Sequence, residues 1–197
     1  MGRRPQPEIR DRLLDGCVDH LLEHGLPVTS LTPVAAALGV SPRMLIYHFA
    51  TKDRLVRAAL VEARRRQRAL FDEALRHRPD TRYVDTLAAA WTTLSGPGGS
   101  RYARLFSVVH ALPPSETPWP DFPTMAVHDW LPTIAAGLRA DGHASPDVLA
   151  TLVLGVARGL LLDDRATGEH DRAAEAYRAF LTLLDGDAGV RRGAGAG

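Results

Sequence analysis

Residues 30–52, SLTPVAAALGVSPRMLIYHFATK, decide the fold. Ser30 suits a helix N-cap, and Leu31, Val34, Ala35 and Leu38 give the helix after it an apolar stripe. Gly39 falls where that helix must stop, at a position that favours a left-handed backbone. Ser41 caps a second, very short helix, with Pro42 at its first position, where the missing N–H costs nothing. Leu45 and Phe49, four apart, anchor this helix to a core and leave Arg43, Met44, Tyr47 and His48 pointing elsewhere. A short helix held from behind, with arginine, tyrosine and histidine facing outward, has the form of the recognition helix of a helix-turn-helix. Thr51 caps a third helix and places Lys52 at its N-terminus, where backbone N–H groups and an ammonium make a phosphate site.

Gly25, Ser30, Val34-Ala35, Gly39-Val40-Ser41, Leu45, Tyr47-His48-Phe49, Lys52 and Leu55 form a pattern that resembles the N-terminal domain of the tetracycline-repressor (TetR) family of bacterial transcription regulators. Two positions depart from it. Ile46 stands where the family usually has a tyrosine, this chain's tyrosine coming one place later, and Pro33 is unusual in the first turn of its helix. The resemblance implies a DNA-binding head on a helical body that binds an effector and dimerises. The DNA-binding set expected on this basis is Arg3, Arg4, Ser30, Thr32, Ser41, Pro42, Arg43, Met44, Tyr47, His48 and Lys52. Arg43 and Met44 are expected in the groove, and Tyr47, His48 and Lys52 at phosphates, with half-buried packing as the alternative for Tyr47 and His48.

Charge supports a basic head. The chain of 197 residues has a formal net charge of +1, but residues 1–66 hold 11 Lys/Arg against 7 Asp/Glu (net +4), and the remainder 13 against 16 (net −3). A lone cysteine, Cys17, excludes an intrachain disulfide. No apolar run reaches transmembrane length and no signal-peptide pattern is present, so a cytoplasmic protein with no membrane partner is expected. No phosphate loop, zinc-protease motif or nucleophile–base pair occurs, which argues against an enzyme, and no cofactor or metal is expected.

Along the chain, residues 1–7 read as an arm whose Arg3 and Arg4 enter a minor groove or merely solubilise. Residues 8–24 form an amphipathic helix ended by Gly25 and Pro27. Its His20 and His24 lack a third ligand. Residues 52–77 read as one long connecting helix, whose Arg64-Arg65-Arg66 run with Arg68 is a solvated face rather than a phosphate site. Helices are expected over 80–95, 101–112, 124–140 (bent at Pro132), 146–166 and 169–185, with a loop at 96–100 and a proline-rich loop at 113–123. The expected fold is all-α: a three-helix head over 1–52, a helical body over 53–185, about nine helices in all, and a disordered tail over 186–197.

Trp91, Phe106, His110, Trp130 and Arg158 are candidate effector contacts, each with a plain core role as the alternative. Arg158, a charge within an apolar helix, needs an anionic ligand or an acid such as Asp163 or Asp164. The last two helices carry more apolar surface than one small domain needs, and Gly155 and Gly159 sit four apart on one of them. With Leu162, Tyr177, Phe180 and Leu184 they are expected to pair with a second copy in a two-fold four-helix bundle, as the resemblance also implies. The expected partners are double-stranded DNA with a palindromic operator, an unknown small-molecule effector, and a second copy of the chain. The rival reading is a ligand-binding or protein-interaction module whose head does not read DNA sequence.

Overall fold

The computed structural model describes residues 7–26, 30–113 and 115–194. Among them are ten α-helices and no strand: α1 (Pro7–His24), α2 (Thr32–Ala37), α3 (Pro42–Phe49), α4 (Lys52–Ala74), α5 (Tyr83–Ser95), α6 (Pro97–Ala111), α7 (Phe122–His128), α8 (Leu131–Ala140), α9 (Pro146–Thr167) and α10 (His170–Ala194). The all-α class is as expected, with ten helices rather than about nine.

Three differences stand out, the first two with local causes. The expected helix over 124–140 is two helices: Trp130 lies between them, and Pro132 sits in the first turn of α8, where a proline is tolerated. The expected loop at 96–100 shrinks to Gly96, because Pro97 opens α6 directly. Gly99 makes that tight passage possible, since a Cβ there would lie 2.2 Å from the Thr93 carbonyl oxygen. At the end of the chain, α10 runs on to Ala194, so the tail expected to be disordered from 186 is helical that far.

The chain divides into two compact units, Met1–Arg68 with Arg101–Asp121, and Ala69–Ser100 with Phe122–Gly197. The division within α4 falls after Arg68 rather than at residue 52. In the first unit, the buried residues are Leu13, Cys17, Val18, Leu21 and Leu22 of α1, which packs on α2, with Val34 and Ala35 of α2, Leu45 and Phe49 of α3, and Leu55, Ala59 and Leu60 of α4. Gly16 lets α2 approach, because a Cβ there would meet Leu38 Cδ2 at 2.1 Å. Cys17 is 1% exposed, and burial pushes its thiol up to about 11, so it behaves as a small core residue. Arg104 of α6 donates from Nη2 to the carbonyls of Leu22 and Glu23, two of the orphan acceptors at the end of α1.

In the arginine run on α4, Arg65 is exposed as expected, but Arg64 and Arg66 are not part of a solvated face. Arg64 is 5% exposed, donates to Gln67 Oε1 at 2.6 Å and lies over the Phe106 ring at 5.9 Å. Arg66 reaches Asp15 (2.7 Å) and Asp19 (3.1 Å) of α1 as well as Glu62 (3.0 Å). The sequence shows one charged face on each helix but not that α1 and α4 turn them toward each other.

Glu62 accepts two bonds from Arg65 (2.8 Å each) and one from Arg66. Those from Arg65 above all hold its carboxyl at about 2, below the usual 4.5. Its stabilising contribution is therefore complete above pH 4.5 and is lost as pH falls through 2. A Glu62→Gln variant should unfold at lower urea than the parent at pH 7, and the gap between the two midpoints should close on going from pH 4.5 to 2. A gap that stays constant over that range would show that the carboxylate is not the stabilising species.

In the second unit, Tyr83 is fully buried and donates its hydroxyl to the Leu75 carbonyl. Gly137 of α8 exists for that ring, since a Cβ would lie 2.2 Å from it. Asp141 Oδ2 accepts the Tyr83 backbone N–H at 2.7 Å and so caps α5 from a distant part of the chain. Trp91 stacks on Tyr177 at 4.5 Å, and Trp130 meets Phe71 edge to face at 5.9 Å. The helix α9 packs between α8 and α10, and Gly168, at φ +72°, ends it.

Candidate nucleic-acid interface

The helix-turn-helix is built from caps that act within four residues. Gly39, at φ +64°, ends α2: its N–H donates to the Ala36 carbonyl and that of Val40 to Ala35 (3.1 and 3.0 Å), the paired bonds of a Schellman motif. Ser41 is extended, and its Oγ accepts the Met44 N–H at 3.2 Å, with Pro42 in the first turn of α3. The turn between the helices is therefore fixed at both ends. Ser30 is a correction. The N-cap of α2 is Leu31, whose side chain is buried, while Ser30 Oγ accepts the Thr32 N–H at 3.4 Å.

On α3, Leu45 and Phe49 are buried and hold the helix to the core. Pro42, Arg43 and Met44 are exposed, as are Ser30, Thr32 and Ser41. Tyr47 is 51% exposed. His48 is half-buried, with its ring edge-on to that of Tyr47 at 5.1 Å, and its Nδ1 is buried without a hydrogen-bond partner among the described residues. Tyr47 thus stands in solvent, while His48 is partly packed. Ile46, which the sequence reading left out of the DNA-facing set, is 38% exposed beside them. Arg3 and Arg4 lie outside the described residues.

Thr51 Oγ1 accepts the Arg54 N–H at 3.1 Å and caps α4, with Lys52 as its first residue. Asp53 in the same turn favours the helix dipole but opposes a phosphate there. Between α3 and α4, Ala50 has φ +69° and ψ −50°, and Thr51 N–H donates to the Phe49 carbonyl at 2.9 Å. This is a γ-turn with positive φ, strained for any residue with a Cβ. Ala50→Gly should raise stability by about 1 kcal/mol. Ala50→Val should lower it by more, since a β-branched side chain fits this conformation worst. Melting temperatures of the two variants check this, and equal temperatures would show that the turn relaxes in solution.

The candidate effector residues are divided between the two units. Phe106 and His110 belong to the first unit, where Phe106 is buried beneath Arg64 and His110 is exposed. Trp91, Trp130 and Arg158 belong to the second. The two tryptophans have core partners, and Arg158 donates from Nη2 to the Ala126 carbonyl at 2.6 Å. Of the two acids expected near Arg158, Asp163 pairs with Arg172 at 2.7 Å, and Asp164 lies 2.5 Å from His170. A groove of about 470 Å³ in the second unit is lined by Leu70, Glu73, Ala74, Arg78, Asp85 and Thr86, among others. Sequence reasoning missed it because its lining comes from a helix end, a turn and α5.

The expected dimer residues separate into two groups. Gly155, Gly159 and Leu162 of α9 are exposed, and apart from the local helix backbone no atom of the described residues lies within 4 Å of a Cβ built on either glycine. Tyr177 and Leu184 are a correction: both are buried in the core of their own unit, where Tyr177 meets Trp91, and Phe180 is half-buried. Among the described residues, the exposed large hydrophobic residue of α10 is instead Leu183, at 77%.

Residues 13–59 match the model of the bacterial regulatory proteins of the tetR family. No curated protein matches the chain. Among solved structures, a transcriptional regulator from Rhodococcus sp. Rha1 is 24% identical with a TM-score of 0.73, over 90% of this chain and 97% of that one. A TetR transcriptional regulator from Legionella pneumophila is 17% identical with a TM-score of 0.66, over 93% and 99%. The multidrug-binding protein EbrR, solved with imidazole, is 25% identical with a TM-score of 0.61, over 91% and 93%. Among the described residues, no helix is long and apolar enough to cross a membrane. Residues 13–59 thus carry the helix-turn-helix domain of the tetR family of bacterial regulatory proteins, and the chain as a whole has the fold of these solved regulators.

Proposed function

We propose that this protein is a homodimeric repressor, acting in the cytoplasm, that reads a palindromic operator and is released from it by a small molecule. The observation that carries the reading is α3: a helix capped by Ser41, anchored by Leu45 and Phe49, with Arg43, Met44 and Tyr47 turned to solvent. In the major groove, Arg43 donates two bonds to a guanine, and Tyr47 and Lys52 hold phosphates on either side. The half-buried His48 supports Tyr47 by ring contact and meets the backbone at its exposed edge. The two-fold axis runs through α9 and α10, whose exposed faces supply the dimer surface, and half-sites lie roughly 34–36 Å apart or a multiple of this. The effector occupies the second unit, where the groove beside α5 is lined by apolar Leu70, Ala74 and Ala89 together with Glu73, Arg78 and Asp85. It releases the operator by binding more tightly to a dimer whose heads miss the half-site spacing, a coupling of ~1–3 kcal/mol.

Selection from a random DNA pool at moderate salt tests this. A recovered palindrome with steep salt dependence is the expected result. A folded dimer that enriches no motif, with or without a metabolite extract, would sink the DNA-reading function. A motif that no extract weakens would sink the effector.

A further inference from the structure

Apolar side chains are concentrated on the face of α3 that is turned away from the core. Ten large hydrophobic residues are exposed among the described residues, and three of them lie on this eight-residue helix: Met44 at 42%, Ile46 at 38% and Tyr47 at 51%. Nothing in the chemistry of a short surface helix calls for them. Isoleucine is a poorer helix former than the polar long-chain residues, and its exposed area is a cost in water. At 100° per residue, with Leu45 and Phe49 fixing the buried side, the outward residues follow one another around the helix as Ile46, Arg43, Tyr47, Met44. Arg43 thus has the Ile46 chain on one side and, past the Tyr47 ring, the Met44 chain on the other. Met44 belongs to the first turn, the part of a recognition helix that reaches base edges.

We infer that Met44 and Ile46 read the 5-methyl groups of thymines flanking the guanine that Arg43 contacts. The inference rests on the DNA-reading function proposed above. The occupant follows from charge and from groove chemistry. The helix belongs to the basic part of the chain, 11 Lys/Arg against 7 Asp/Glu over residues 1–66, so a polyanion is the matching surface. The thymine methyl is the one apolar group that the major groove offers, and cytosine lacks it. A thioether chain and a branched aliphatic chain have no base-edge donor or acceptor to satisfy, so contact with a methyl is the discrimination open to them. Arg43 then fixes register, while the flanking residues select T·A over C·G on either side.

The test replaces thymines of the selected operator one at a time by deoxyuridine, which removes the methyl and keeps the pairing. Kd is measured at fixed salt by fluorescence anisotropy. Burial of one methyl corresponds to about a four-fold change in Kd, so about four-fold weakening is expected at one thymine on each side of the guanine, and about sixteen-fold when both half-sites are substituted. Met44→Ala should erase the penalty at one of the two positions and Ile46→Ala at the other, whereas Arg43→Ala should weaken binding and leave both penalties in place. Residues that only support the helix would weaken thymine and uracil operators alike and leave the penalty unchanged. Tight operator binding with no uracil-sensitive position, or penalties that survive in both alanine variants, would overturn this inference alone. Failure to select any operator would overturn it together with the DNA-reading function.

Discussion

The double variant Leu152→Asp, Leu162→Asp should sediment as a monomer at micromolar concentration and lose at least about 100-fold in affinity for the full operator. The expectation comes from α9. Val148, Leu152, Gly155, Gly159 and Leu162 are all exposed, at spacings of four, three, four and three. That is the seam of a helix that packs lengthwise on another. The two glycines leave open space where a partner helix can come close, and Leu183 adds apolar area from α10, which packs beside α9. Burying one leucine is worth ~1.5–3 kcal/mol, and an isologous interface holds every side chain twice. Two substitutions thus remove four leucines, on the order of 6–12 kcal/mol, which is most of the free energy of a dimer with micromolar to nanomolar Kd. Tyr177→Phe and Leu184→Ala, by contrast, should change stability and not sedimentation, because both residues are buried within one copy. A double variant that still sediments as a dimer would move the interface off α9. A monomer that binds the full operator undiminished would remove the two-fold reading of DNA.

The contrast between Leu162 and Tyr177 shows where sequence stops being enough. Both belong to apolar stripes, and a stripe tells that a face is covered without telling by what. Leu162 is left bare by its own chain, whereas Tyr177 is taken up by Trp91. The head was legible because its determinants are local. Gly39, Ser41, Pro42 and Thr51 act on backbone groups within a few residues, and these set the turn, the length of α3 and the start of α4. Determinants that act at a distance left no trace in the order of residues. Asp141 caps α5 and Arg104 caps α1. Asp15 and Asp19 neutralise Arg66, and Arg64 disappears into the core. The effector candidates show the same ambiguity. Aromatic residues inside a helical body are good core material, and Trp130 against Phe71 is used as such. Ser30 failed more narrowly: the first turn of α2 begins one residue after Leu31, whose buried side chain fixes the start of the helix.

Arg43→Ala and Lys52→Ala should both weaken operator binding, but in distinguishable ways. Arg43 is exposed in the first turn of α3, where a guanidinium reaches a guanine edge through two bonds worth ~1–3 kcal/mol of discrimination. A two-fold dimer makes the contact twice, so Arg43→Ala should cost about 2–6 kcal/mol and allow any base at the guanine position when the selection is repeated. Affinity for non-specific DNA should fall far less, since a base contact is lost rather than a phosphate contact. Lys52 opens α4, where the cap from Thr51 takes one N–H; in the proposed complex the remaining donors, with the ammonium, would face a phosphate. Its removal should weaken operator and random DNA by the same factor. It should also flatten the slope of log K against log salt by about 2 for the dimer, at roughly 0.9 per phosphate. The preferred base at every position should stay as it was. The two variants therefore exchange signatures if the assignment is inverted. An unaltered motif with a reduced salt slope for Arg43→Ala would place that arginine on the backbone and leave base reading to Met44, Ile46 and Tyr47.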